Sequence, residues 1–183
     1  MRRYVLTGTP GAGKTSILRG LGELGHTVVE EAATEVIARA QARGEDEPWT
    51  RASFIDDIVT LQRQRQREAT GAGAGAVQVF DRSPVCTLAL AIYLGRPVSR
   101  TLAAELERIT SEEIYERRVL FVRNLGFCEP TAARRISFHE SLVFEKVHEE
   151  TYRELGYQLI DIPAADLPHR LATVTSLIAP RAS

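Results

Sequence analysis

The sequence predicts an α/β fold in which a five-stranded parallel sheet lies between two layers of helices. Three observations predict it. Short β-branched runs alternate with longer stretches of helical period, the pattern of strands joined by crossover helices. The first of these runs passes directly into "LTGTPGAGKTS", residues 6–16, which sets three glycines and a proline ahead of a lysine and two hydroxyls. With 183 residues, 44% of them hydrophobic, the chain is of a size to bury one full core, so residues 1–183 are expected to form one domain.

Each element has its own signal. "RYVLTG" (3–8) reads as the first strand, and Ile17, Leu18, Leu21 and Leu24 then fall on one face of a helix. "TVVEEA" (27–32) reads as the second strand. A polar loop over 42–52 carries Trp49, and a helix follows around residues 53–69, where Ile55, Val59, Gln62 and Gln66 share a face. The Gly/Ala run at 69–77 is a flexible connection into the third strand, "AVQVFD" (76–81). Leu102, Leu106 and Ile109 mark another helix before "RVLFVRN" (118–124), the fourth strand. Phe144, Val147, Thr151 and Leu155 stripe the next helix, which Gly156 stops before the last strand, "YQLIDI" (157–162). Asp166 is placed to cap a final helix carrying Leu167, Leu171, Val174 and Ile178.

Composition removes several classes of function. The 23 basic and 24 acidic residues leave a formal charge of -1, which argues against a nucleic-acid or anionic-membrane partner. Cys86 and Cys128, the two cysteines, have no CxxC spacing, so neither a disulfide framework nor structural zinc is expected. No apolar run is long enough for a transmembrane helix or a signal-peptide core, and a cytoplasmic protein is the expectation. His139 and His148 read as surface or packing residues.

Gly8, Gly13, Lys14 and Thr15 fit G-x-x-x-x-G-K-[ST], and they do so between a strand and a helix, where the motif has a mechanism. Glycines at 8, 11 and 13 permit positive φ, so the main-chain N–H groups of Gly8, Thr9, Pro10's neighbours, Gly11, Ala12, Gly13, Lys14, Thr15 and Ser16 can curl around phosphate oxygens. The helix start adds its unpaired N–H groups and dipole. Lys14 can reach the β- and γ-phosphates, and the Thr15 hydroxyl can ligate Mg²⁺. The segment therefore predicts a P-loop NTPase fold holding a nucleoside triphosphate. A Ras-like GTPase is disfavoured because "VRNLG" and "DRSPV" match neither the N-K-x-D base reader nor the D-x-x-G switch. A hexameric motor is disfavoured as well, since Asp81 is followed by Arg82 and not by a second acid.

"VVEEAATEVI", "VFDRSP" and an arginine pair after the fourth strand together resemble the P-loop nucleoside and nucleotide kinases. Their order is similar to that of a small kinase-like AAA-domain family, which includes the ribosylnicotinamide-kinase domain of NadR and relatives described as GTP- and lipid-binding. The likeness covers roughly residues 3–178. It implies that Asp81 lies near Mg²⁺ or the acceptor hydroxyl, with Arg82 near the phosphates. It further implies that Glu31, with Glu30 beside it, sits across the cleft as a base for the acceptor. Structural alternatives are a helix cap for Asp81 and solvated charges for the two glutamates.

The two glutamines at 62 and 66 prolong an apolar face, and Gln62 can read a substrate ring or sugar, a role the resemblance supports; an amide satisfied by backbone is the alternative. Trp49 and Phe54 are candidates to wall the same pocket. The stretch at 126–139 has little regular period and carries Arg134 and Arg135, which the resemblance implies form a lid over the transferred phosphate. The resulting expectation is a kinase using ATP, with GTP as the alternative, and Mg²⁺. It would move the γ-phosphoryl group to a hydroxyl of a small acceptor, nucleosides among the candidates. The other readings are a nucleotide-dependent binding module for a protein or lipid, and a slow ATPase. Oligomeric state is left open.

Overall fold

The computed structural model describes residues 1–71, 75–127 and 136–179. Five strands, β1 (Arg2–Gly8), β2 (Thr27–Val29), β3 (Val77–Asp81), β4 (Arg118–Val122) and β5 (Gln158–Ile162), pair in the order β2-β3-β1-β4-β5. Every pairing is parallel, as crossover connections require. The helices are α1 (Lys14–Glu23), α2 (Ala32–Gln41), α3 (Phe54–Glu68), α4 (Pro84–Tyr93), α5 (Arg100–Ser111), α6 (Phe138–Glu154) and α7 (Leu167–Ile178). A 3-10 turn, Pro48–Thr50, lies within the expected polar loop.

Side chains alternate across the sheet and divide the core in two. Tyr4 and Leu6 of β1 point to a face closed by α1 and α7, where they meet Ile17, Leu21, Val174 and Ile178. Val5 points to the other face, joining Phe80, Ile109, Val119 and Tyr152. A third cluster lies beyond the sheet end, built from Val36 and Ile37 of α2, Ile55, Ile58 and Val59 of α3, Ala91 of α4 and Leu102 of α5. The space between this cluster and the carboxyl ends of β1, β2 and β3 becomes the cleft described below.

Several expectations need correction. β2 ends at Val29, so Glu30 and Glu31 are not strand residues, and Glu31 occupies the N-cap position of α2. Leu24 is the C-cap of α1 and is exposed, leaving Ile17, Leu18 and Leu21 as the buried stripe. In α6 the inward face is Phe144, His148, Thr151 and Tyr152, one position beyond Val147. Of the two histidines read as surface or packing residues, His148 is fully buried and His139 is exposed. The Asp166 cap is present, its side chain accepting from His169 N–H at 2.9 Å, and Gly156 ends α6 with φ 77°. The greater part of the expected lid, including Arg134 and Arg135, lies outside the described residues. Of its described ends, Ile136 lines the cleft. No helix among the described residues is long and apolar enough to cross a membrane.

Candidate active site

Main-chain geometry comes first. β1 runs into Gly8 at φ 134°, Gly11 at φ 83° and Gly13 at φ 82°, and Gly13 is the N-cap of α1. At Gly8 the reason for glycine is a neighbouring strand: a Cβ there would meet the Val122 carbonyl oxygen at 2.1 Å. The loop therefore lies tight against β4 while the α1 N-terminus opens into the cleft. Lys14 is buried, and its Nζ donates to the carbonyl oxygens of Thr9 at 2.8 Å and Gly8 at 3.2 Å. Burial, assisted by the nearby Arg82 charge, lowers its pKa to about 8. Thr15 and Ser16 are exposed at the helix start.

The carboxyl end of β3 supplies Asp81, and the chain then turns through Arg82 at φ 73°. A left-handed conformation is strained for an arginine, and it is fixed here because Arg82 N–H extends the ladder to the Leu6 carbonyl at 3.0 Å. The turn sends the guanidinium toward two partners. Its Nε donates to Glu31 Oε1, and its Nη1 lies 3.2 Å from His148 Nε2. His148 Nδ1 is 3.0 Å from the Phe144 carbonyl, which assigns the proton to Nδ1 and leaves Nε2 to accept from Arg82. Burial and the Arg82 charge push the His148 pKa down to about 3, so the ring is neutral. Sequence reasoning missed this partner, which stands 66 positions from Arg82.

The two carboxyl groups differ. Burial opposes ionisation of Glu31, but the charges of Arg82 and Lys14 and a 2.8 Å bond from Thr34 Oγ1 outweigh it, holding the pKa below the ordinary value. Burial raises Asp81 to about 6 against the pull of Lys14. Asp81 lines the cleft, and its Oδ1 is buried without a hydrogen-bond partner, an acceptor that the fold itself does not satisfy. Among the described residues no three His, Cys, Asp or Glu side chains converge as a metal cage.

Lys14, Thr15, Glu31, Asp81 and Arg82 line one cleft of about 700 Å³, and His148 supports Arg82 from outside its lining. From Lys14, Thr15, Glu31, Asp81 and Arg82 it runs outward past Gln62 and Thr87 to a chamber of Ile37, Trp49, Phe54, Ile58, Leu90 and Phe144. Gln62 Oε1 accepts from Thr87 Oγ1 at 2.9 Å, which turns the amide nitrogen to the remaining side. Gln66 is not in the cleft; it meets Arg108 at 2.9 Å. Glu30 is exposed, absent from the lining, and its carbonyl accepts from Arg65 at 2.7 Å. The arrangement has anion-attracting amides and cations with Glu31 and Asp81 at one end, and at the other a compartment that is mostly apolar, with Glu47 and Tyr93 also in its lining.

The profile of the family described as AAA domain matches residues 3–170. No curated protein matches the chain. Among solved structures, deoxyadenosine kinase from M. mycoides with bound dATP superposes with a TM-score of 0.58 at 14% identity, over 96% of this chain and 98% of that one. NadR protein in complex with NAD and AMP-PNP gives a TM-score of 0.69 at 16% identity, and NadR in complex with NR gives 0.67 at 17%. In both cases all of this chain is covered, and it spans about half the length of the NadR chain, 51% and 53%. At these identities the likeness establishes a kinase-like P-loop fold.

Proposed function

The chain belongs to the AAA-domain family, and on that premise we propose that it is an ATP-dependent phosphotransferase acting on a hydroxyl of a small, unphosphorylated, nucleoside-like acceptor. The observation that carries this reading is the polarity of the cleft. Cations, helix N–H groups and the carboxyl pair gather at one end, and no lysine or arginine is among the described residues of the outer chamber. A triphosphate suits the first end, since the Gly8–Ser16 amides and Lys14 offset its charge. Lys14 would exchange the Gly8 and Thr9 carbonyls for phosphate oxygens. An acceptor that already carried a phosphate would need a cation in the chamber, whereas a planar apolar body suits Trp49, Phe54 and Phe144. Gln62, with its oxygen engaged by Thr87, has N–H to offer a ring acceptor.

Phosphoryl transfer asks the protein chiefly for positioning and charge stabilisation. Arg82, held between Glu31 and His148, would face the transferring group, and Glu31 would take the proton of the acceptor hydroxyl. Mg²⁺ fits the oxygen donors present: the Thr15 hydroxyl and the unsatisfied Asp81 carboxylate would hold it together with phosphate oxygens. Bound there, it would supply further neutralisation of the triphosphate.

The test is a coupled ATP assay over a panel of nucleosides and nucleoside monophosphates. Transfer to at least one nucleoside is expected, with Lys14→Met reducing it about 10²–10³-fold and Glu31→Gln by a similar factor. Tight ATP uptake without transfer to any acceptor would favour a nucleotide-dependent binding module, and phosphate release alone a slow ATPase.

A further inference from the structure

Arg170 of α7 is 3% exposed, meets the glycine-rich loop at Ala12 and is not among the residues that line the cleft. Its Nη1 donates to the Ala12 carbonyl at 2.8 Å and its Nη2 to the Arg123 carbonyl at 3.0 Å, while its buried Nε has no partner. Among the described residues no carboxylate pairs with it. That is unusual for an arginine taken from water, because a buried guanidinium is costly without a counter-charge. Burial alone moves its pKa below the ordinary value, with no acid acting against it.

Peptide geometry connects this cation to the anion cradle. A trans peptide unit points its C=O and N–H in opposite directions. With the Ala12 carbonyl held toward Arg170, the N–H of Gly13 in the same unit is turned the other way, toward the cleft that Gly13 lines. No backbone acceptor takes that N–H among the described residues. Gly13 also leaves room for the guanidinium, since a Cβ there would come within 3.1 Å of Arg170 Nη1.

We propose that Arg170 is a positioning residue for the triphosphate: from outside the cleft lining it fixes and polarises the Ala12–Gly13 peptide so that the Gly13 N–H meets phosphate, and the incoming anion supplies the counter-charge the fold withholds. The inference rests on the nucleotide reading above but needs neither an acceptor nor catalysis. No step of bond making is involved.

The experiment measures the melting temperature without ligand and the affinity for Mg²⁺·AMP-PNP by calorimetry, for the full chain and two variants. Arg170→Met removes the charge and keeps the packing stem, and Arg170→Lys keeps the charge with a single-point donor. Methionine is expected to weaken AMP-PNP about tenfold, the order of loss for one charge-assisted bond, while the unliganded melting temperature stays within a few degrees of the parent. Lysine is expected to fall between. A purely structural arginine would give the reverse, a large fall in melting temperature with unchanged affinity of the folded protein, and that result overturns the proposal. Should methionine prevent folding, equal affinities for the lysine variant and the parent would overturn it. A parent chain that takes up no AMP-PNP overturns the nucleotide reading itself, a separate outcome from equal uptake by parent and variants.

Discussion

Asp81 and Glu31 are carboxyl groups of one cleft whose surroundings drive their proton affinities apart. Glu31 has Arg82 and Thr34 as donors, whereas Asp81 keeps an unsatisfied oxygen and a pKa of about 6 against an ordinary 3.8. Between those two values the folded state binds more protons at Asp81 than the unfolded state does. Its contribution to stability therefore falls as pH rises from about 4 to about 6, and the deficit persists at neutral pH. Asp81→Asn removes the deficit and is expected to raise stability at pH 7.5 by on the order of 1–2 kcal/mol, with the gain vanishing near pH 4. Parallel urea titrations of parent and variant across that range check it; a gain that does not shrink toward pH 4 would falsify the assignment. The residue types of this site were legible as a motif, a D-R pair and an acidic pair. What was not legible is their environment: the left-handed turn at Arg82 is pinned to the Leu6 carbonyl of β1 and its side chain reaches His148 of α6, partners far along the chain that no local spacing encodes.

Among the elements, β1 and β4 carry the constraint that shapes the loop. The strands approach so closely at Gly8 that any side chain would strike the Val122 carbonyl, and the positive φ would strain it further. Gly8→Ala is expected to cost more than about 3 kcal/mol, because backbone cannot retreat as a flexible side chain can. Gly20→Ala makes the contrasting control: the nearest atoms to its Cβ would all belong to the movable Leu171 side chain, Cδ2 at 2.8 Å and Cδ1 at 3.2 Å, so a smaller loss is expected from the same denaturation measurement. All five strands were readable from β-branched runs, because buried parallel strands concentrate such residues. Their order in the sheet was not, since hydrophobic pattern specifies a strand without naming its neighbour. α4 escaped for a related reason: "PVCTLALAIY" is apolar nearly all round, as a helix wedged between α5 and α6 must be, and so shows no amphipathic period. β2 was read too long because the valines continue into two glutamates that belong to the turn and cap of α2.

At the scale of the molecule, the sheet order brings β3 and β4 to the two sides of β1, and the site forms at the carboxyl ends where parallel α/β sheets receive ligands. The helices α2 to α5 build a separate apolar body against that edge, so the cleft has a charged end where β1 and β3 meet the starts of α1 and α2, and a mostly apolar remainder, Glu47 apart, made by the helices and the turn before α3. Trp49, the sole tryptophan of the chain, belongs to that remainder. Its emission is thus a reporter for the outer half of the cleft, and on the proposed reading it separates the two ligands. A nucleoside acceptor is expected to change Trp49 emission in a saturable titration, and a nucleoside monophosphate at the same concentration to leave it nearly unchanged, since the chamber's described lining offers no lysine or arginine to a second phosphate. AMP-PNP, seated at the α1 end, is expected to raise the melting temperature by roughly 5–10 °C at a hundredfold excess over its dissociation constant, while perturbing the tryptophan little. If the monophosphate proved the better quencher, the division of the cleft into an end with cations and an end without them would be wrong, and the acceptor would belong to the nucleotides. That outcome would also require a cation from outside the described lining to reach the chamber.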